Sequence, residues 1–243
     1  MRILLAAFLS LLSSVVLAGD RSYAVLSFVG DRLLISQASG ETGTRVDRNV
    51  RQFAPTHSPV LDQAATRAVK AKIAAAERDA KVELLEAGNE HFYAAVNDSV
   101  GQDGVASLVR LLQPELRGIP ATHWILVTKH RAPARVNLAH TSVGMGNLEG
   151  LGFYIDRGLH VASVKTGEGA EGIVAPFAYL RYSLVDAATG TVLREVNETQ
   201  SFTVAKQSAT HPWDALTGEE KVRYLEQLLR RSADDAVPKL LAP

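Results

Sequence analysis

The chain has 243 residues, with 26 Lys plus Arg against 26 Asp plus Glu, so no global positive charge exists to attract a polyanion such as a nucleic acid. Hydrophobic residues at 47% and charged residues at 21% describe a globular protein that is long enough for one sizeable domain. Cysteine is absent, which excludes disulfides, thiolate catalysis, zinc ribbons and iron–sulfur clusters.

The first segment is a targeting pattern. Arg2 supplies a positive start, residues 3–17 are apolar apart from Ser10, Ser13 and Ser14, and Val16 and Ala18 occupy the −3 and −1 positions that signal peptidase accepts. Cleavage is expected between Ala18 and Gly19, giving a signal peptide over residues 1–18 and one mature α/β domain over residues 19–243. About 15 apolar residues fall short of the roughly 20 needed to span a bilayer, so no stable membrane span is expected after cleavage. Without a cysteine after the apolar run, the lipid-anchored version of this export route is closed. The expected location is periplasmic or secreted.

Residues 23–29 and 33–37 are apolar runs split by Gly30, Asp31 and Arg32, which reads as an amino-terminal β-hairpin. Residues 40–49 read as loop, and residues 55–58 extend that irregular stretch. Ser58 before Pro59 suggests a helix start, with an alanine-rich helix running to about Asp79. Residues 81–86 suggest a strand, and helices follow over 90–97 and 104–113, the second within reach of a cap from Asp103. Residues 122–129, around Trp124, Ile125, Leu126 and Val127, predict a buried strand.

Eight glycines fall between Gly144 and Gly172, so this stretch reads as short strands joined by loops. Residues 177–185 and 191–204 carry the longest β signal and form a hairpin around Asp186 to Gly190. Thr217 to Glu220 is a capping box for a closing helix, with Val222, Leu225, Leu229 and Ala236 as its apolar stripe and Pro238 at its end. The fold class is α/β: a mixed β-sheet flanked by helices, with an amino-terminal hairpin, a long carboxy-terminal hairpin and a closing helix.

The opening run Ala24, Val25, Leu26, Ser27, Phe28 and the hairpin Leu184, Val185, Asp186, Ala187, Ala188, Thr189, Gly190, Thr191, Val192, Leu193 resemble a bacterial envelope superfamily. That superfamily includes the curli-secretion lipoprotein and the amino-terminal domain of the Tol translocation protein, in which a VDxxTGxVL hairpin recurs before a closing helix. The resemblance spans roughly residues 23–240, and the hairpin is its matching motif. The opening hairpin and the glycine-rich insert depart from the pattern, and the missing cysteine argues against a curli-type pore role. The resemblance implies a non-catalytic periplasmic binding or assembly domain whose partner is an envelope protein.

Candidate chemistry is sparse. His123, His130 and His140 have no metal-ligand spacing, and there is no HExxH, so no metal site is predicted. His140, Ser142 and Asp156 supply the residue types of a hydrolytic triad without a GxSxG elbow; a periplasmic hydrolase using them is the alternative reading. Gly144, Gly146, Gly150 and Gly152 lack the lysine of a phosphate-binding loop, and no cofactor is expected. Among the aromatic residues, Phe153, Tyr154, Phe177, Tyr179 and Tyr182 are expected to fill the core. A loop over residues 137–152 is the expected binding element, with His140, Ser142, Gly144, Gly146 and Glu149 as its contact residues and no catalytic residue assigned. Oligomeric state is not legible in the sequence.

Overall fold

A computed structural model describes residues 21–39, 49–101, 105–138, 141–162, 169–205 and 209–242. The cleavage pair Ala18 and Gly19, the cap Asp103 and the candidate His140 lie outside the described residues.

In chain order the strands are β1 (Ser22–Ser27), β2 (Arg32–Gln37) and β3 (Val50–Pro55), followed by helix α1 (Val60–Ala76), β4 (Lys81–Leu84), α2 (Glu90–Ser99) and α3 (Ala106–Leu112). Next come β5 (His123–Lys129), β6 (Arg131–Pro133), β7 (Val136–Asn137), β8 (Ser142–Val143), β9 (Asn147–Ala162), β10 (Gly169–Asp186) and β11 (Val192–Ser201). A short 3-10 turn (Pro212–Ala215) leads into α4 (Gly218–Leu241). Nine strands form one mixed sheet in the order β3-β2-β9-β10-β5-β1-β4, with β11 added to β10 and β6 to β9; β7 and β8 pair separately.

The sheet is organised by β10. Its residues 169–179 pair antiparallel with β9, residues 180–186 pair antiparallel with β5, and residues 177–185 pair with β11. β9 and β5 therefore follow one another along one edge of β10, while β11 covers the other edge. The sheet forks: β5, β1 and β4 run parallel in one arm, and β9, β2 and β3 form the other.

Side chains alternate across this sheet. Tyr23 and Val25 of β1, Ile125 and Val127 of β5, and Val174, Ala178, Leu180 and Tyr182 of β10 share one core with α1 and α4. The opposite face is divided. Ala24, Leu26, Trp124 and Leu126 pack on α2 and α3 in one arm, and Tyr154, Phe177 and Tyr179 pack with Val136 and Leu148 in the other. β1 is covered on both faces, which is why it reads as a continuous apolar run.

The α/β class, the carboxy-terminal hairpin and the closing helix match the sequence reading. Gly190 turns the hairpin at φ 71, and Thr217 and Glu220 form the reciprocal capping box. The five aromatic residues expected in the core are all at most 1% exposed. Trp213 packs edge-on to Phe153 at 5.3 Å.

Other details differ. The two opening strands exist but do not pair with each other: the chain crosses the fork after β1, and β2 pairs with β3 and β9. The irregular stretch is interrupted by β3, an edge strand ending at Pro55, where polar residues and a terminal proline are tolerated because one side needs no partner. The glycine-rich stretch is not loop-rich, since β9 and β10 span 16 and 18 residues. Gly152 serves close packing there: a Cβ would overlap the Leu34 carbonyl oxygen and lie 2.8 Å from the Phe177 ring. α1 is capped at Pro59 without a side-chain bond and stops at Ala76, where the following Glu77 accepts hydrogen bonds from Arg21 and Tyr23. Val222 is 46% exposed, and Pro238 lies inside α4 rather than at its end. Arg194 donates to the Lys239 and Leu240 carbonyls, at 3.1 and 3.4 Å, and so satisfies the last turn.

Replacing Gly152 by Ala should destabilise the fold by about 3 kcal/mol, because backbone and ring must both move. Chemical denaturation measures this, and an unchanged midpoint would refute the close packing of β2 on β9.

Candidate functional site

The structure first locates the residues expected to bind. Ser142 is exposed on β8 and pairs with Asn137 of β7. Gly144 and Gly146 hold φ of 140 and 75, and the Gly146 carbonyl accepts the Ala134 N–H at 2.8 Å. Between them Met145 is 43% exposed, and its backbone is held by the Tyr154 hydroxyl at 3.2 Å and the Asn49 side chain at 2.6 Å. Asp156 lies on β9 and accepts the Gly158 N–H at 2.9 Å. No hydrogen bond joins it to Ser142 among the described residues.

Glu149 belongs to β9 and is buried. Its carboxylate faces Arg51 of β3 at 2.8 Å and Arg32 of β2 at 3.8 Å, tying three strands together. The Arg32 guanidinium also stacks 4.0 Å from the centre of the Phe53 ring. Glu149 acts inside the sheet, where the strand pattern around it was hidden by the flanking glycines. No three His, Asp or Glu side chains are placed to hold a metal among the described residues.

The densest polar constellation lies elsewhere, at the carboxyl ends of β1 and β5 where the sheet forks. Asp62, in the first turn of α1, points under the β1 end. It accepts the Ser27 hydroxyl at 2.6 Å, the Val29 N–H at 2.8 Å, the Gly30 N–H at 3.1 Å and the Tyr93 hydroxyl of α2 at 2.7 Å. Gly30 permits this approach, since a Cβ would meet the Asp62 carboxylate oxygen at 2.6 Å. Beside it, the Lys129 ammonium donates to Asp31 and to Asn97 of α2 at 2.6 Å, while Asn97 donates to Asp31 at 2.8 Å.

The electrostatics follow from burial. Desolvation pushes the Asp62 carboxyl above its ordinary range, although the Ser27, Tyr93 and backbone hydrogen bonds oppose it. Desolvation lowers Lys129, and Asp31 opposes that shift. The Tyr93 hydroxyl is raised by burial and by the neighbouring Asp62 charge. Two clefts of about 510 and 420 Å³ flank this centre, and the Asp62–Tyr93 pair lines both. Open α/β sheets bind ligands outside the carboxyl ends of their strands. Here, however, the oxygen atoms of Asp62 and Asp31 already face donors from the chain itself. The arrangement locks α1 and α2 to the fork.

Sequence reasoning missed all of these residues. Asp62 was detectable from its position on the same helical stripe as the buried Ala65 and Val69. Lys129 had a weaker mark, as a cation closing an apolar strand.

No protein-family model matches the chain, and no curated protein matches it either. Solved structures similar to it include protein XCC0632 from Xanthomonas campestris, at 8% identity and a TM-score of 0.38, covering 90% of this chain and 81% of that one. A homologue of neuraminyllactose-binding hemagglutinin from Helicobacter pylori matches at 9% identity and a TM-score of 0.39, covering 92% and 84%. A lipoprotein from Neisseria meningitidis matches at 8% identity and a TM-score of 0.29, covering 88% and 99%. Scores this low carry no inference about activity.

Two outcomes test the lock. Asp31→Ala strands the Lys129 ammonium and should cost about 3 kcal/mol, whereas Lys129→Met keeps the aliphatic stem and should cost about half as much; urea denaturation giving the reverse order would contradict the pairing. The raised Asp62 carboxyl makes the folded chain hold a proton that the unfolded chain has lost. Its contribution to stability is therefore full below the ordinary value of 3.8 and is lost as pH rises through the higher native value. Asp62→Asn should flatten that part of the stability–pH profile, and an unaltered profile would show that another group produces it.

Proposed function

We propose that the protein is an exported, non-catalytic binding or assembly component of the bacterial cell envelope, working in the periplasm or after secretion. The observation that carries this reading is the amino-terminal pattern of Arg2, the apolar residues 3–17, and Val16 and Ala18 ahead of Gly19, Asp20 and Arg21. The envelope-type hairpin at Leu184 to Leu193 supports the same compartment. No helix of the described residues is long and apolar enough to cross a membrane.

The placement of the polar groups supports binding over catalysis. Asp62, Asp31, Lys129 and Glu149 are engaged with groups of the chain itself. Of the hydrolytic alternative, Ser142 and Asp156 share no hydrogen bond among the described residues, and His140 lies outside them. The turn bearing Ser142, Gly144 and Gly146, with Met145 exposed, offers one contact surface for an envelope partner.

Production of the full chain in a Gram-negative host, followed by osmotic release and intact-mass measurement, tests this reading. The released protein should begin at Gly19. An intact Met1 in the released pool, or retention of the whole chain in the cytoplasm, would overturn it.

A further inference from the structure

α1 and α4 lie on the same face of the sheet and run in the same direction. α1 is antiparallel to β1, since Ser27 meets Asp62 at one end and Tyr23 meets Glu77 at the other. α4 is antiparallel to β11, since Gln200 bonds Asp235 and Arg194 bonds the Lys239 and Leu240 carbonyls. β1 and β11 share a direction, because β1 is parallel to β5 while β5 and β11 are each antiparallel to β10. A groove of about 610 Å³ runs between the two helices.

Its α1 wall is built from small residues, Ala64, Ala68 and Ala71, so another backbone can approach closely. Lys72 and Asp234 neutralise each other at 2.8 Å. Arg67, Arg230 and Arg231 also line the groove, and among the described residues none of them has a carboxylate within ion-pair distance; Glu226 is the remaining acidic group. Arg231 instead lies 4.3 Å over the Phe202 ring. One helical turn before the groove residues Ala64 and Glu226 stand Val60 and Val222, 40% and 46% exposed. The groove thus carries an excess of positive charge, with two exposed apolar side chains one turn beyond its amino-terminal end.

We propose that this groove docks an acidic amphipathic helix of a partner protein, whose apolar residues meet Val60 and Val222 and whose carboxylates meet Arg67, Arg230 and Arg231. The charge complement selects the occupant. A wide anionic surface such as a membrane would lie over the exposed carboxylates of α4 as well as its arginines, whereas a helix in the groove can set its carboxylates on Arg67, Arg230 and Arg231 and meets Glu226 as the one groove carboxylate that Lys72 does not neutralise. The inference rests on the binding reading given above and adds the site and the chemistry of the partner.

The test places a photo-crosslinking benzoylphenylalanine at Ala71 in the full chain, produced in its native host, and reads the adducts on protein beginning at Gly19. The expected result is a protein adduct whose cross-linked peptide, sequenced by tandem mass spectrometry, carries carboxylates three or four residues apart on a helical pattern. Arg67→Glu combined with Arg230→Glu should lower its yield by about tenfold or more with the melting temperature unchanged. Arg67→Gln with Arg230→Gln, which avoids charge reversal, should lower it in the same direction if the first variant misfolds. Absence of an adduct, an adduct indifferent to both variants, or a cross-linked peptide without acidic residues would overturn the proposal while export stands. Flotation with vesicles of phosphatidylglycerol and phosphatidylethanolamine should show no arginine-dependent binding; such binding would assign the groove to lipid and overturn the helix.

Discussion

One strand with three partners sets the plan of this molecule. β10 gives one edge to β9 and then to β5, and gives the other to β11. Strands spaced about 4.8 Å apart cannot occupy the same stretch of edge, so β9 and β5 must diverge where they meet. The divergence opens a fork, and the fork has two structural costs: backbone that leaves one arm for the other, and a sheet face that no single helix pair can cover. The chain meets the first at Phe28 to Asp31 and the second by dividing the face between α2 with α3 and the β6 to β8 segment.

The buried polar centre follows from that geometry. Where β1 leaves the sheet, the N–H groups of Val29 and Gly30 lose strand partners in the crossing and turn to the Asp62 carboxylate. Lys129, at the end of β5, is drawn to Asp31 and Asn97 across the same gap. These contacts join α1, α2, β1 and β5 to the crossing at residues 29–31. A carboxylate satisfied by four donor groups has little capacity left for a ligand, and this is why a constellation that resembles a catalytic centre in its residue types reads as a lock. The proposed recognition surfaces, the Met145 turn and the groove between α1 and α4, accordingly lie on the outside of the scaffold.

The sequence was most legible where local chemistry decides structure. The Thr217 capping box, the turn at Gly190 and the doubly buried run of β1 each announce themselves within a few residues. It was least legible where a distant partner decides. Gly152 looks like loop chemistry, yet its role is to let β2 approach. Residues 50–55 lack a strand pattern because β3 is an edge, and the pairing of β1 with β4 and β5 rather than with β2 has no local signature. Asp62 was passed over, although it shares a helical stripe with Ala65 and Val69, because a carboxylate in a first helical turn ordinarily faces solvent and complements the helix dipole. Its burial depends on the crossing at Val29 and Gly30, which only the fold reveals.

The central claim is that the Asp62 centre is a closed lock with no ligand-accessible state of its own. Native-state hydrogen exchange at the Val29 and Gly30 amides tests it most directly, because both donate to Asp62. A lock predicts that these amides exchange only with global unfolding, with the same opening free energy and denaturant dependence as the central amides of β10. Exchange through a local opening of much lower free energy and little denaturant dependence would contradict the account, and would show a centre that opens to admit a ligand.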